Sequence, residues 1–345
     1  MATRQHMFNL LGLSKVVDPL LQNAYRTREQ EIYDNDLENS PHGMKWSLSL
    51  HASSFPGDFR VACGRRAVYG LMDIPDKEPI SNALRQYAEM GQDIEKRIVD
   101  ALDSYGVLLS APSDCDKQTN FVDKEVWLTG STDAAILPYK QNSPHIVEIK
   151  NRALNKVLEM KAGTLECDPK HEAQLRAYMA MSRDKPWPNF FVCGETWRIS
   201  EASSLNGIDV CRVHGYSDCL VKVRLEKCIS GSVYYVARDN PSVSHEFFFE
   251  HDQEYYDNGK KLLSSYIDDF RNGILPERPK DLEGKPISWG QNQCRYCPKK
   301  IQCRADYKEG VLELKDSNSI EYAKSIRPQY SYEKTREQVL SQWTE

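Results

Sequence analysis

Two short segments, Gly130-Ser131-Thr132-Asp133-Ala134-Ala135-Ile136 and Ile146-Val147-Glu148-Ile149-Lys150, set three charged residues inside apolar runs of strand length. A strand alternates its side chains between faces, so Glu148 and Lys150 point to one side, Val147 and Ile149 to the other. Asp133 stands fifteen residues before Glu148, and the intervening 138–144 is rich in turn-forming residues, so the two strands are predicted to fold back as neighbours. One face then carries two carboxylates and an ammonium. Unpaired buried charges cost several kcal/mol, on the order of what a divalent cation held between the carboxylates offsets. The arrangement reads as a magnesium site.

A length of 345 residues allows one large domain or two smaller ones, and 40% hydrophobic content suffices for a real core. No run approaches the roughly 18 apolar residues that span a bilayer, which argues against a membrane protein. The first seventeen residues carry Arg4 and Lys15 but no acid, with scattered Phe8, Leu10, Leu11 and Leu13 in place of a continuous apolar core; they read as a helix of a cytoplasmic protein. A formal net charge of −5 removes any global electrostatic case for a nucleic-acid partner, so such binding needs a local patch. The stretch 150–161 supplies Lys150, Arg152, Lys156 and Lys161 against the acid Glu159, although a solvated helix face explains the same residues.

Along the chain, the part up to about residue 105 reads as mostly helical, with helical spacing through 82–87 and 94–102. Strand character follows from about 121 to 150. A helix is predicted around 172–181, ending before Pro186 and Pro188, then strand-like runs at 189–199, 210–225, 232–237 and 246–250. A long helix over 253–271 leads through Pro276 and Pro279 into a cysteine-rich tail. This order predicts an α/β core, 106–275, with an added helical and cysteine-bearing part contributed by both ends, 1–105 and 276–345.

Of ten cysteines, Cys115, Cys167, Cys193, Cys211, Cys219 and Cys228 are irregularly spaced and read as core or surface filler of a reduced compartment. The tail differs. Cys294, Cys297 and Cys303 form a C-x2-C-x5-C run that brings three thiolates within reach of one metal centre. Cys63 is the candidate fourth ligand, although 230 residues separate it from Cys294. Four cysteines suit either zinc or a 4Fe-4S cluster, so ligand identity alone does not choose. Such a centre would staple the two ends of the chain together.

Taken in order, the Gly130-x-x-Asp133 strand, the Glu148-Ile149-Lys150 strand, the helix carrying Gln174-Leu175-Arg176-Ala177-Tyr178, and one early plus three late cysteines resemble the RecB-like branch of the PD-(D/E)xK nucleases. The match is to its iron-sulfur group, which includes the CRISPR-associated four-cysteine exonucleases and the exonuclease V type, and covers about residues 60 to 305. The resemblance implies a restriction-endonuclease-like core, a mixed central sheet flanked by helices, with an added helical region holding a 4Fe-4S cluster on Cys63, Cys294, Cys297 and Cys303. It further implies Asp133 and Glu148 as ligands of Mg2+ or Mn2+, the Ile149 carbonyl as a further ligand, and Lys150 as the catalytic lysine. Gln174 and Tyr178 match the family's Gln-x3-Tyr motif and share a helix face; a core tyrosine beside a solvated glutamine is the other reading. Many relatives carry Gly-x-x-x-His on the helix before the strands. Here Gly91 is followed by Glu95, a hard oxygen ligand also suited to magnesium or manganese, or else an ordinary solvated acid.

The implied activity is metal-dependent hydrolysis of DNA, mainly of single-stranded ends, in recombination, repair or CRISPR-type processing in a prokaryotic or viral-host cytoplasm. No Walker-type segment is present. The chain would therefore act alone or beside a separate helicase or integration complex. Three other readings use the same residues: a non-catalytic, metal-stapled DNA-binding adaptor, an endonuclease trimming flaps or integration fragments, and a zinc protein with no nucleic-acid role.

Overall fold

The computed structural model describes residues 49–55, 63–74, 82–110, 120–138, 140–183, 190–196, 199, 203–205, 208–210, 219–281, 283–289, 294, 297 and 299–344. The helix expected in the first seventeen residues lies outside them, as do Cys115 and Cys211. The strands are β1 (Leu50–His51), β2 (Leu108–Ser110), β3 (Asn120–Asp123), β4 (Leu128–Ser131), β5 (Ala134–Ile136), β6 (His145–Arg152), β7 (Phe190–Cys193), β8 (Ser203–Leu205), β9 (Ile208–Val210), β10 (Leu220–Val223), β11 (Ser230–Ala237) and β12 (Ser244–Glu250). The α-helices are α1 (Gly64–Leu71), α2 (Asn82–Tyr105), α3 (Leu154–Lys161), α4 (Pro169–Arg183), α5 (Gln253–Arg271), α6 (Lys300–Lys308), α7 (Asn318–Ile326) and α8 (Tyr332–Thr344).

The architecture is mixed α/β. A five-stranded sheet runs in the order β12-β11-β6-β5-β2, with β6 and β11 parallel and the other pairs antiparallel. Parallel neighbours require a crossover, and everything between β6 and β11 supplies it, with α4 returning across the sheet against both strands. A smaller sheet, β1-β4-β3, stands beside it; β1 and β4 are parallel, β3 and β4 antiparallel. The chain passes from the small sheet to the large one between β4 and β5.

That passage corrects one sequence expectation. Asp133 does not lie within a strand: β4 ends at Ser131 and β5 begins at Ala134, so Asp133 occupies the bend where the chain changes sheets. The Thr132 hydroxyl donates to the Ala134 carbonyl at 3.0 Å and ties down that bend. The neighbour relation itself holds, since β5 and β6 pair antiparallel with Ala134 opposite Val147.

The helices at 172–181 and 253–271 appear, the first extended to Pro169–Arg183 and the second with the expected bounds. Asp252 caps α5 by accepting the Tyr255 amide at 2.9 Å. The part before residue 105 is not wholly helical, because β1 joins the small sheet. The tail, in turn, holds α6, which carries Cys303, and two more α-helices, α7 and α8, beyond its cysteine run. One core spans residues from Leu50 to Trp343, and Trp343 of α8 stacks on the buried Trp127, ring centroids 6.1 Å apart. Among the described residues, no helix is long and apolar enough to cross a membrane.

Candidate active site

Strand β6 presents the site. It is flanked by β5 and β11, and it is buried from His145 to Ile149. Val147 and Ile149 pack with Val99 of α2 and with Ala134. Glu148 and Lys150 alternate to the opposite face. Strand β5 stops opposite Val147, so the Ile149 amide lies beyond its reach; Asp133 Oδ2 accepts that amide at 2.7 Å instead. Asp133 is therefore oriented by the strand it does not belong to.

Lys150 Nζ lies against Glu148 Oε1 and 4.0 Å from Asp133 Oδ2. Glu148 is fully buried, and its Oε2 has no hydrogen-bond partner among the described residues. Burial, then the Asp133 carboxylate, pushes Glu148 from the ordinary 4.5 up to about 8, against the pull of Lys150. Burial also raises Asp133, with Lys150 and the Ile149 amide opposing it. For Lys150 burial works against the charge, but Glu148 and Asp133 outweigh it and hold its pKa above the ordinary 10.5.

Helix α2 brings Glu95 to the same group. A Cβ on Gly91 would sit 2.5 Å from Asn151 Nδ2, so glycine lets α2 lie close against the end of β6 one turn before Glu95. Burial, then Asp133, lifts Glu95 to about 7, with Lys150 opposing. From α4, Gln174 Nε2 donates to the Tyr178 hydroxyl at 2.9 Å. The Tyr178 ring is core, 6.1 Å from Phe121, yet its hydroxyl faces acids: burial, then the charge of Glu148, drives it far above the ordinary tyrosine range. It stays protonated, a donor beside carboxylates. Asp133, Glu148, Lys150, Glu95 and Tyr178 thus form one electrostatic cluster. As they stand, no three His, Cys, Asp or Glu side chains among the described residues are grouped to hold a metal ion.

The basic stretch 150–161 is less available than its composition suggests. Arg152 pairs with Asp168 at 2.8 Å and Lys156 with Glu159 at 2.7 Å. Beside Lys150 lies a set that local sequence patterns do not single out. The Tyr235 hydroxyl, across from Lys150 on β11, takes the Asp168 amide at 3.1 Å and contacts His171 Nδ1 at 2.8 Å. Burial lowers His171 from 6.5 to about 4; Asp168 opposes this, and Lys150, Arg152 and Lys170 add to it. A neutral imidazole at the start of α4 fixes that helix end against the sheet.

The early cysteine and the three tail cysteines border the same cavity, although no three of them are grouped as a metal site as they stand. Cys63, Cys294, Cys297 and Cys303 line one cavity, and all are free thiols. Helix α1, which follows Cys63, and the turn after it are pinned to the tail at three points: Tyr69 donates its hydroxyl to the buried Asp306 of α6, Arg65 Nε donates to the Pro276 carbonyl at 2.6 Å, and Lys299 donates to the carbonyl of Ile74, just past the helix. Burial pushes Cys63 up to about 11 and Cys303 to about 12, so with nothing bound the thiols keep their protons. Cys167, Cys193, Cys219 and Cys228 are buried elsewhere in the fold.

No protein-family model matches this sequence, and no curated protein is similar enough in sequence to match. Fifteen chains of solved structures match. One is LHK-Exo in complex with dAMP, at 12% identity and a TM-score of 0.37, covering 66% of this chain and 89% of that one. Another is the alkaline exonuclease LHK-Exo from Laribacter hongkongensis, at 11% identity and a TM-score of 0.36, with the same coverage. A likeness this loose assigns neither fold nor activity.

Proposed function

We propose that this chain is a divalent-metal-dependent deoxyribonuclease of the PD-(D/E)xK kind that hydrolyses phosphodiester bonds from single-stranded DNA ends. The observation that carries the reading is the fully buried Glu148 carboxylate, with Oε2 unpartnered, beside Asp133 and against Lys150. A buried charge left unsatisfied is costly, and it persists where something else completes it. When all are ionised, Asp133, Glu148 and Glu95 set against Lys150 leave two negative charges, the complement of one divalent cation. Oxygen donors suit magnesium or manganese, with the Ile149 carbonyl as a further ligand.

Asp133, Glu148 and Glu95 would hold such an ion, which would supply activation of a water and polarisation of a phosphate oxygen. The chain's own residues do the rest. Asp133 keeps its orientation through the Ile149 amide. Lys150, on the same face, orients the attacking water or neutralises charge growing on the phosphate. The Tyr178 hydroxyl, steadied by Gln174, offers a hydrogen bond to a phosphate oxygen.

Digestion of end-labelled linear single-stranded DNA tests the reading. Cleavage that requires magnesium or manganese is expected, with a loss of about a hundredfold or more in Glu148→Gln. A circular single strand should stay intact; cutting of the circle would move the reading to an endonuclease. No cleavage by folded, metal-supplied parent would leave a DNA-binding adaptor.

For the cysteine cavity we propose a 4Fe-4S cluster, on the resemblance, with zinc as the alternative. What supports it is that four thiols line one cavity, with Arg65 and Arg66 on its wall to offset thiolate charge, although no three of the thiols are grouped as a metal site as they stand. Anaerobically purified parent should carry iron and acid-labile sulfide and absorb broadly in the visible, and Cys303→Ala should lose all three. Stoichiometric zinc would replace the cluster with a zinc staple, and absence of both would overturn the site.

A further inference from the structure

The molecule holds a second basic surface, remote in sequence from the carboxylates and unused by the reaction described above. Helix α6 carries Lys300, Arg304 and Lys308 at four-residue spacing, one face of a helix. The three cations line a groove of about 720 Å³ together with Trp289. At a rise of about 1.5 Å per residue the cations follow one another by roughly 6 Å along the axis, a step comparable to that between successive phosphates of an extended strand. Arg304 and Lys308 are exposed and have no partner among the described residues. The groove's acid, Glu309, is engaged by the Asn318 amide at 2.9 Å.

The aromatic wall is fixed. The Arg278 guanidinium lies 3.6 Å from the centroid of Trp289 and 4.9 Å from that of Tyr307, and the two rings meet edge to face at 6.2 Å. Trp289 and Lys300 also line the cysteine cavity, as Arg278 does, so the groove and the cavity share a wall. A row of cations that shares a groove with a rigid indole suits a polyanion that also offers flat rings along its length, as a single-stranded nucleic acid does at every residue.

We infer that the groove between α6 and Trp289 binds the sugar-phosphate backbone of single-stranded nucleic acid, holding the strand at a second point away from the carboxylates. The inference rests on the nuclease reading for its choice of ligand.

The test is fluorescence anisotropy of a labelled single-stranded oligonucleotide with the full-length protein, without added divalent cation, over a range of salt. Removing two phosphate contacts in Arg304→Gln/Lys308→Gln should reduce the slope of log affinity against log salt by about 1.4 and cost about tenfold in affinity near physiological salt. The charge-matched Lys222→Gln/Arg224→Gln, two exposed cations on and after β10, controls for net charge and should move neither by half as much. Trp289→Ala should weaken binding with the salt slope kept, the signature of lost stacking. An unchanged slope and affinity in the α6 variant, with the parent binding normally, would overturn the groove and leave the carboxylate site standing. Failure of the parent to bind the strand at all would overturn the groove and the nuclease reading together, whereas binding lost in the variant without cleavage by the parent would retain the groove alone.

Discussion

Lys150→Met should cut the rate of strand cleavage by a hundredfold or more while leaving the affinity for single-stranded DNA within about a factor of three, since its ammonium is assigned to charge that develops only in the transition state. Single-turnover cleavage with saturating manganese, beside anisotropy binding, reads both quantities. Loss of binding in step with cleavage would make Lys150 a ground-state contact; cleavage equal to the parent's would remove it from the reaction. The same variant carries a pH signature. Glu148 sits near 8 in the fold and at about 4.5 in the open chain, so its folded form holds a proton through that window. The sign follows: a raised acid contributes stability that is complete below 4.5 and is lost as pH rises through 8. Lys150 restrains that loss by attracting the carboxylate. Without it, thermal stability of the metal-free protein should differ little from the parent's at about pH 6 and fall clearly below it at about pH 9. Added manganese should restore part of the difference, because a bound ion does for Glu148 what the ammonium did. Equal losses at both pH values would point to packing and away from charge.

Gly130→Ala should be the most damaging single methyl group in the chain's active region. A Cβ there would stand 2.5 Å from the Tyr178 ring and 2.8 Å from the Ala52 Cβ, closer than real contacts allow. Something must move. Strand β4 is paired on both sides, by β1 and β3, so the Tyr178 ring is the part that can yield. Overpacking of this kind costs about 1–3 kcal/mol. Displacing Tyr178 also releases the Gln174 hydrogen bond and opens the buried side of Glu148, so cleavage should fall by more than stability alone explains. The check is a double-mutant cycle read by denaturant unfolding. If the ring is the obstacle, Gly130→Ala costs less in a Tyr178→Leu background than in the parent, and strict additivity would show that it is not. The glycine of the Gly-x-x-Asp motif then has a physical purpose: it makes room for the tyrosine that packs behind the acids.

Much of this was legible in the residue order. Alternation along Ile146 to Lys150 requires one charged and one apolar face whatever the fold, and β6 shows that division, with Val147 and Ile149 against α2 and Glu148 opposite. Helix α5 was readable to its ends because Asp252 caps it and its apolar spacing is sustained. The helices of the tail were not, being short and polar, with much of their support coming from partners far along the chain, such as Trp127 under Trp343 and Tyr69 against Asp306. Periodicity reports on neighbours a few residues apart. It cannot see Tyr235 reaching His171 and Asp168 from a strand added later to the sheet.

What the sequence determined by itself, then, is the set of charges and their faces: Glu148 and Lys150 together on one strand, Gln174 and Tyr178 together on one helix, three cysteines within ten residues. Only the tertiary structure decided how they meet. It moved Asp133 off its strand into the bend between two sheets, where its carboxylate replaces the missing partner of the Ile149 amide. It carried Cys63 across 230 residues to the cavity that the tail thiols line, with α1 tied to α6. The reason is the same in both cases. The register of a strand and the face of a helix follow from bond geometry over a few residues, whereas convergence of distant side chains depends on sheet order and helix docking, which burial of the whole core selects.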